Sequence, residues 1–230
     1  TDRRERPDRP LPSGRVTRAA ALRAGLLFGV AGLGMAALGG AAVLGLGTLL
    51  LMAILVYTFA TPRGSKRGIL TMGLCRALSV GLGIAAAGRL PTPPAALLAA
   101  AGVGGYIAAV SWLAVGETGE QTLDARRLLP LLLAAGTLGG IVWLAPAPPH
   151  LPVMVAIAAM ALLRLARLTQ TLGTHPGPGR MPQAIGGYIR LLLLVQATAC
   201  ASRHEGLVPA AVLILLMPAA AHLGKRFYAS

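Results

Sequence analysis

Carboxylates are scarce in this chain, which sets seven Asp and Glu against 21 Lys and Arg for a net charge of +14 over 230 residues. Charged residues make up 12%, whereas a soluble domain devotes roughly a quarter of its length to them. With a mean hydropathy of +0.70, this excludes an ordinary soluble globular fold. Cysteine is nearly absent: Cys75 and Cys200 lie in apolar runs without metal-ligand spacing. That excludes a disulfide framework and a thiolate metal site, leaving two small packing residues. The four His share no spacing, so none is assigned to a metal. No basic, apolar, small-residue order marks a secretory signal. The glycines at 102, 104 and 105 sit in an apolar run with no strand before it, which excludes a nucleotide loop.

What fills the chain instead is apolar sequence in lengths close to the ~20 residues that cross a bilayer as a helix. Eight such spans are predicted: Ala19 to Leu38, Ala41 to Phe59, Ile69 to Ala87, Ala95 to Val115, Leu128 to Leu144, Leu151 to Leu168, Ala184 to Ala199 and Leu207 to His222. The fold class is therefore an all-α integral membrane bundle, a single transmembrane domain over residues 1–230. If the spans alternate, every Lys and Arg except Arg89 and Arg203 falls nearer one membrane face. The positive-inside rule puts that face, with both termini, in the cytoplasm. The basic charge then serves a membrane surface; no nucleic-acid partner is expected.

The few carboxylates are not scattered. Asp2, Glu5 and Asp8 share the charged opening run, and Glu117, Glu120 and Asp124 cluster four spans later. Alternation puts both clusters on the cytoplasmic face, in segments 1–18 and 116–127, where they can converge on one site. In Glu117-x-x-Glu120-x-x-x-Asp124, spacings of three and four bring the carboxylates onto one face of a helix. Grouped carboxylates repel unless a cation neutralises them, and a hard divalent ion such as Mg²⁺ takes oxygen ligands while leaving positions for phosphate oxygens. The bland alternative is a solvated loop with Arg126 and Arg127 as counter-charges. The opening run also has a bland reading, as a polybasic segment drawn to anionic head groups. Its order, with Pro7, Pro10 and Pro12 ahead of a Ser13-Gly14 turn, instead suggests a phosphate-binding loop.

That opening run carries a family resemblance. Asp2-x-x-x-Arg6-Pro7-x-Arg9-Pro10-Leu11-Pro12-Ser13-Gly14-Arg15 resembles the end of the first aspartate-rich motif of the UbiA superfamily of intramembrane prenyltransferases. There, N-D-x-x-D-x-x-x-D is followed by R-P-x-R-P-[IL]-P-S-G. Asp2 takes the place of the last Asp; the preceding Asn and two Asp would lie before Thr1. The chain begins without Met, and the resemblance implies the interior of a longer protein, with eight spans of about ten present. The family's second motif, commonly D-x-x-D-x-x-x-D, is matched in spacing by Glu117, Glu120 and Asp124, with Glu in its first two positions. Each Glu adds a methylene, enough to move a metal by about a bond length against Mg–O distances of roughly 2.1 Å.

Members of the family also carry a Tyr followed by a Lys that reaches the diphosphate in the loop after the second span counted here. This chain offers Tyr57, then Arg63, Lys66 and Arg67, without the usual short spacing. The stretch Met72-Gly73-Leu74-Cys75-Arg76, with Leu78 and Gly81, is similar to the EboC-like branch, in which the second acidic motif is weakened.

The resemblance implies an Mg²⁺-dependent enzyme of the cytoplasmic face of the plasma membrane, moving an isoprenoid chain from an allylic prenyl diphosphate to a lipid-soluble or amphipathic acceptor. Asp2, Glu117, Glu120 and Asp124 would hold the metal. Arg6, Arg9, Arg63, Lys66, Arg67 and Arg76 would bind the diphosphate, and Asp2, Asp124 and Tyr57 would act in catalysis. Two non-catalytic readings stand beside it, a polyprenyl-lipid-binding protein and a small-molecule transporter, although the midplane polar groups and repeats of a transporter are not evident. The D-G-x-x-A-R signature of the CDP-alcohol phosphatidyltransferases is missing. Arg76 and Arg190, inside spans, suit either a site or snorkelling to head groups. Gln196, Tyr188 and Ser79 suit helix-to-helix hydrogen bonding, and Gly25-x-x-x-Gly29 and Gly136-x-x-x-Gly140 suit close helix packing.

Overall fold

The protein is described from a computed structural model, covering residues 10–62, 64–88, 93–115, 123, 125–145, 150–176, 179–203 and 205–228, the last four without their side chains. Eight helices account for nearly all of it: α1 Arg18–Leu38, α2 Ala41–Leu55, α3 Lys66–Ala86, α4 Pro94–Leu113, α5 Leu129–Leu144, α6 Leu151–Leu172, α7 Arg180–Ala201 and α8 Leu207–Tyr228. A π-helical turn, Val56–Ala60, extends α2, and a 3₁₀ turn, Ala125–Leu128, leads into α5. No strand occurs among the described residues. All eight helices are long and apolar enough to cross a membrane once these turns are included. The protein is a multi-pass all-α bundle, as the hydropathy predicts.

Local chemistry sets the ends of the helices. Thr17 caps α1, its hydroxyl accepting from the Ala20 N–H at 3.2 Å, and Ser65 caps α3 by accepting from the Gly68 N–H at 3.1 Å. Pro stands in the first turn of α4, α5 and α6, where its missing N–H leaves no bond unmade. Within the helices, Thr48, Thr58, Thr71, Thr137 and Thr198 each donate a hydroxyl to the carbonyl four residues back. Such hydroxyls need no water, which hydrocarbon cannot supply.

Helices α1 to α5 pack successively, each on the next, and α7 packs against α4, α5, α6 and α8. The central position of α7 shows in its burial: 61% of its apolar window is covered, against 6% for α1 and for α8. Its anchor is a buried polar chain. The Tyr106 hydroxyl on α4 donates to the Tyr188 carbonyl at 2.8 Å, and the Tyr188 hydroxyl and Thr169 Oγ1 on α6 are 2.9 Å apart. Tyr188 thus links three helices, as its polarity within a span predicts. Tyr106→Phe should lower the thermal midpoint in detergent modestly, because a hydrogen bond between membrane helices contributes on the order of 0.6–2 kcal/mol. An unchanged midpoint would mean that the hydroxyl does nothing for stability.

The glycine pattern is corrected in detail. A Cβ at Gly25 or Gly136 would meet nothing within 4 Å, whereas Gly29 and Gly140 face Leu51 and Leu98. A close approach of backbone to backbone occurs instead between α3 and α4. A Cβ on Gly73 would lie 2.6 Å from the Gly104 carbonyl oxygen, and one on Gly104 would lie 2.9 Å from the Ala77 Cβ. The glycines that imitate a nucleotide loop in sequence serve helix packing.

Candidate functional site

Alternation of the eight helices places the N-termini of α1, α3, α5 and α7 at one end of the bundle, together with Arg18, Lys66, Arg67, Arg126, Arg127 and Arg180. Each N-terminus presents main-chain N–H groups and the positive end of a helix dipole. Basic side chains and dipoles therefore reinforce one another at this end, which attracts anions.

Three contacts draw the connections at that end together. In the turn between α2 and α3, the Ser65 N–H donates to the Pro62 carbonyl at 3.2 Å, and Gly64 has φ +71°, a conformation that favours glycine. A Cβ at Gly64 would lie 3.5 Å from a Val115 methyl, so this turn rests against the chain leaving α4. Further on, buried Leu123 donates its N–H to the Thr174 carbonyl at 2.8 Å, tying the segment before α5 to the segment after α6. The third contact is a cation–π pair, Arg126 standing 5.8 Å from the Trp112 ring centroid. This holds the two ends of the segment linking α4 and α5 together.

Glu117 and Glu120 lie between the anchors at Val115 and Leu123, and Asp124 directly follows the second; all three are outside the described residues, as are Asp2, Arg6, Arg9 and Arg63. The expectation that the three carboxylates share one helix face lies outside the described residues; Leu123, between Glu120 and Asp124, is itself not helical and gives its N–H to Thr174.

The described site residues fall into two groups. Tyr57 sits in the π-helical turn, 38% exposed, and its carbonyl accepts the Thr61 hydroxyl at 2.7 Å. Such turns shift a helix's side-chain phase and recur at functional sites. Lys66 and Arg67 begin α3 and are exposed beside the Gly64–Val115 contact. Arg76 does not join them: it lies ten residues into α3, about 15 Å along the axis, exposed on the outer surface. Arg190, whose guanidinium reaches toward the end of α8, is half-buried. The sequence reading passed over Arg164 on α6, although any Arg inside an apolar span is such a signal.

Among the described residues no three His, Cys, Asp or Glu come together as a metal site. The donor chemistry nevertheless suits one ion type, since the only candidate ligands are carboxylates and all belong to segments at the basic end. Hard oxygen donors fit Mg²⁺ and exclude a preference for soft metals.

One family model, that of the UbiA prenyltransferase family, matches residues 1–175, a stretch that holds α1 to α6 and both acidic segments. No curated protein and no solved structure matches the chain.

Proposed function

This chain belongs to the UbiA prenyltransferase family, and from that premise we propose that it transfers an isoprenoid chain from an allylic prenyl diphosphate to an acceptor inside the membrane. The observation that carries the proposal is the joining of the α2–α3 turn to Val115 at the basic end of the bundle. It sets Lys66 and Arg67 beside one end of the segment that bears Glu117 and Glu120.

The reaction breaks the allylic carbon–oxygen bond. The electron pair leaves with the diphosphate, and the allylic cation is captured by the acceptor, which then loses a proton. Negative charge grows on the leaving group, so fixed positive charge at that position lowers the barrier. Lys66, Arg67, Arg63, Arg6 and Arg9 provide it, together with the N-terminus of α3. Asp2, Glu117, Glu120 and Asp124 hold Mg²⁺, which when bound supplies Lewis-acid neutralisation of the diphosphate. Tyr57 orients the diphosphate or faces the cation with its ring.

Apolar helix surface receives the prenyl tail, each buried CH₂ contributing ~0.8 kcal/mol, and excludes water that would quench the cation. The basic end faces the cytoplasm of the plasma membrane, in keeping with the charge asymmetry. Opening residues 1–18 act as the diphosphate-side part of the first acidic motif. The replacement of Asp by Glu at 117 and 120 fits the EboC-like branch.

Membranes containing the protein, given radiolabelled geranylgeranyl diphosphate and a lipid extract, should yield an extractable labelled product that vanishes with EDTA and returns with Mg²⁺. Label recovered only as unreacted diphosphate, with the protein retaining it, would favour a binding protein instead.

A further inference from the structure

Between α6, α7 and α8 lies a cavity of about 510 Å³, lined by Arg164, Leu168, Gly187, Arg190, Met217 and Ala221 among others. Its size has local causes. Gly187 and Ala221 put almost no side chain into it, and Pro218 in its wall removes a main-chain bond from α8. The family match ends before α7 begins, so most of this wall belongs to the part of the chain outside it. The acidic segments do not contribute a described residue to it.

Two cations inside an apolar span require compensation. Among the described residues neither Arg164 nor Arg190 forms an ion pair; the single described carboxylate, Glu205, lies at the other end of α7. Arg190 stands near the middle of α7, but its guanidinium is 3.2 Å from where a Cβ on Gly224 would be and 3.5 Å from where one on Gly186 would be. Gly224 ends the apolar part of α8. The side chain therefore climbs to head-group height at the basic end, and two glycines make room for it. Arg164 lies eight residues before the end of α6, about 12 Å below it, within reach of the same level. Below the two cations the wall is Met160, Leu191, Ile214 and Met217, Met160 lying one turn farther than Arg164 from the basic end of α6. Cation above and hydrocarbon below is the profile of an anionic amphiphile.

We infer that this cavity binds an anionic phospholipid of the leaflet at the basic end, its phosphate between Arg164 and Arg190 and an acyl chain along Met160 and Met217. The site is independent of the prenyl-transfer proposal. Its ligand is a membrane lipid rather than a free anion, because the guanidinium height matches the head-group layer and the lower wall is apolar.

The test is native mass spectrometry of the detergent-solubilised full chain with phosphatidylglycerol or phosphatidylcholine of matched acyl chains. The unaltered protein should retain phosphatidylglycerol preferentially. Arg164→Gln with Arg190→Gln should reduce that preference by about 30-fold, on the order of fivefold per arginine, and Arg→Lys at both positions should largely keep it. Gly224→Leu, which preserves both charges but occupies the space of the Arg190 guanidinium, should also weaken it. Equal retention of the two lipids, or a preference untouched in the double Gln variant, overturns the inference. Should that variant misfold, a photoactivatable phosphatidylglycerol on the unaltered protein decides: adducts on α6 and α8 around Met160 and Met217 support the site, and adducts confined elsewhere overturn it.

Discussion

Asp124→Ala is expected to lower the initial rate of prenyl transfer by about 10²–10³-fold, the usual effect of removing one preorganised stabiliser of transition-state charge. Asp2→Ala should act similarly, and the two together by little more than either alone, since ligands of one ion act as a unit. The physical case rests on electrostatics. Asp2 and Asp124 belong to segments that enter the basic end of the bundle, where four helix N-termini and at least Lys66, Arg67 and Arg127 repel one another. Carboxylates placed there either neutralise those cations or, with Mg²⁺, form the diphosphate site. The two roles separate experimentally. A neutralising role predicts that Asp124→Ala loses stability while Mg²⁺ dependence is unchanged. A ligand role predicts an unaltered melting profile, a raised Mg²⁺ requirement and lost product. Unchanged product formation in the Asp2 and Asp124 variants would defeat the assignment of this site.

Glu117 and Glu120 share one segment with an anchor at either end. Glu117 is two residues beyond Val115, which is held against Gly64, and Glu120 is three residues before Leu123, which is held by Thr174. These anchors fix where the chain bearing Glu117 and Glu120 leaves α4 and where it rejoins the described structure.

Hydropathy made the membrane architecture legible because hydrocarbon forces each backbone polar group into an internal bond, leaving long apolar helices as the simple solution. The helices Leu151–Leu172 and Arg180–Ala201 nevertheless run past their predicted apolar cores. The extension of the second begins at Arg180, at the basic end of the bundle, where charge does not stop a helix. The anchor beside the Glu117 motif was not legible: the distant Thr174 carbonyl captures the Leu123 N–H, and no local spacing announces a bond across 51 residues. The opening Arg-Pro run carried the family reading through its order of residues. Packing glycines were the least legible. Gly73 has no G-x-x-x-G partner in the chain, and only the approach of α4 reveals its role.

Gly73→Leu should therefore be among the most disruptive single substitutions in the protein. Even an alanine Cβ there would sit 2.6 Å from the Gly104 carbonyl oxygen and 3.0 Å from the Ala108 Cβ. The first neighbour is backbone, which cannot rotate aside, so α3 and α4 must separate. Overpacking of this kind costs about 1–3 kcal/mol, which for Ala is a fall of roughly 3–10 °C in thermal midpoint for a chain of this size. For Leu, the added branches have nowhere to go within the seam, and we expect little folded protein to survive detergent extraction. Gly81→Ala and Gly83→Ala on the same helix meet nothing within 4 Å and should leave the midpoint unchanged or higher. The seam also reaches the site: α3 begins at Lys66, and α4 ends just before Val115. Widening it moves those ends apart, so Gly73→Ala should lower prenyl transfer even in the fraction that remains folded. Melting curves and product assays on the purified Gly73→Ala, Gly81→Ala and Gly83→Ala proteins test both statements, and equal midpoints across the three would remove the basis for the tight α3–α4 contact.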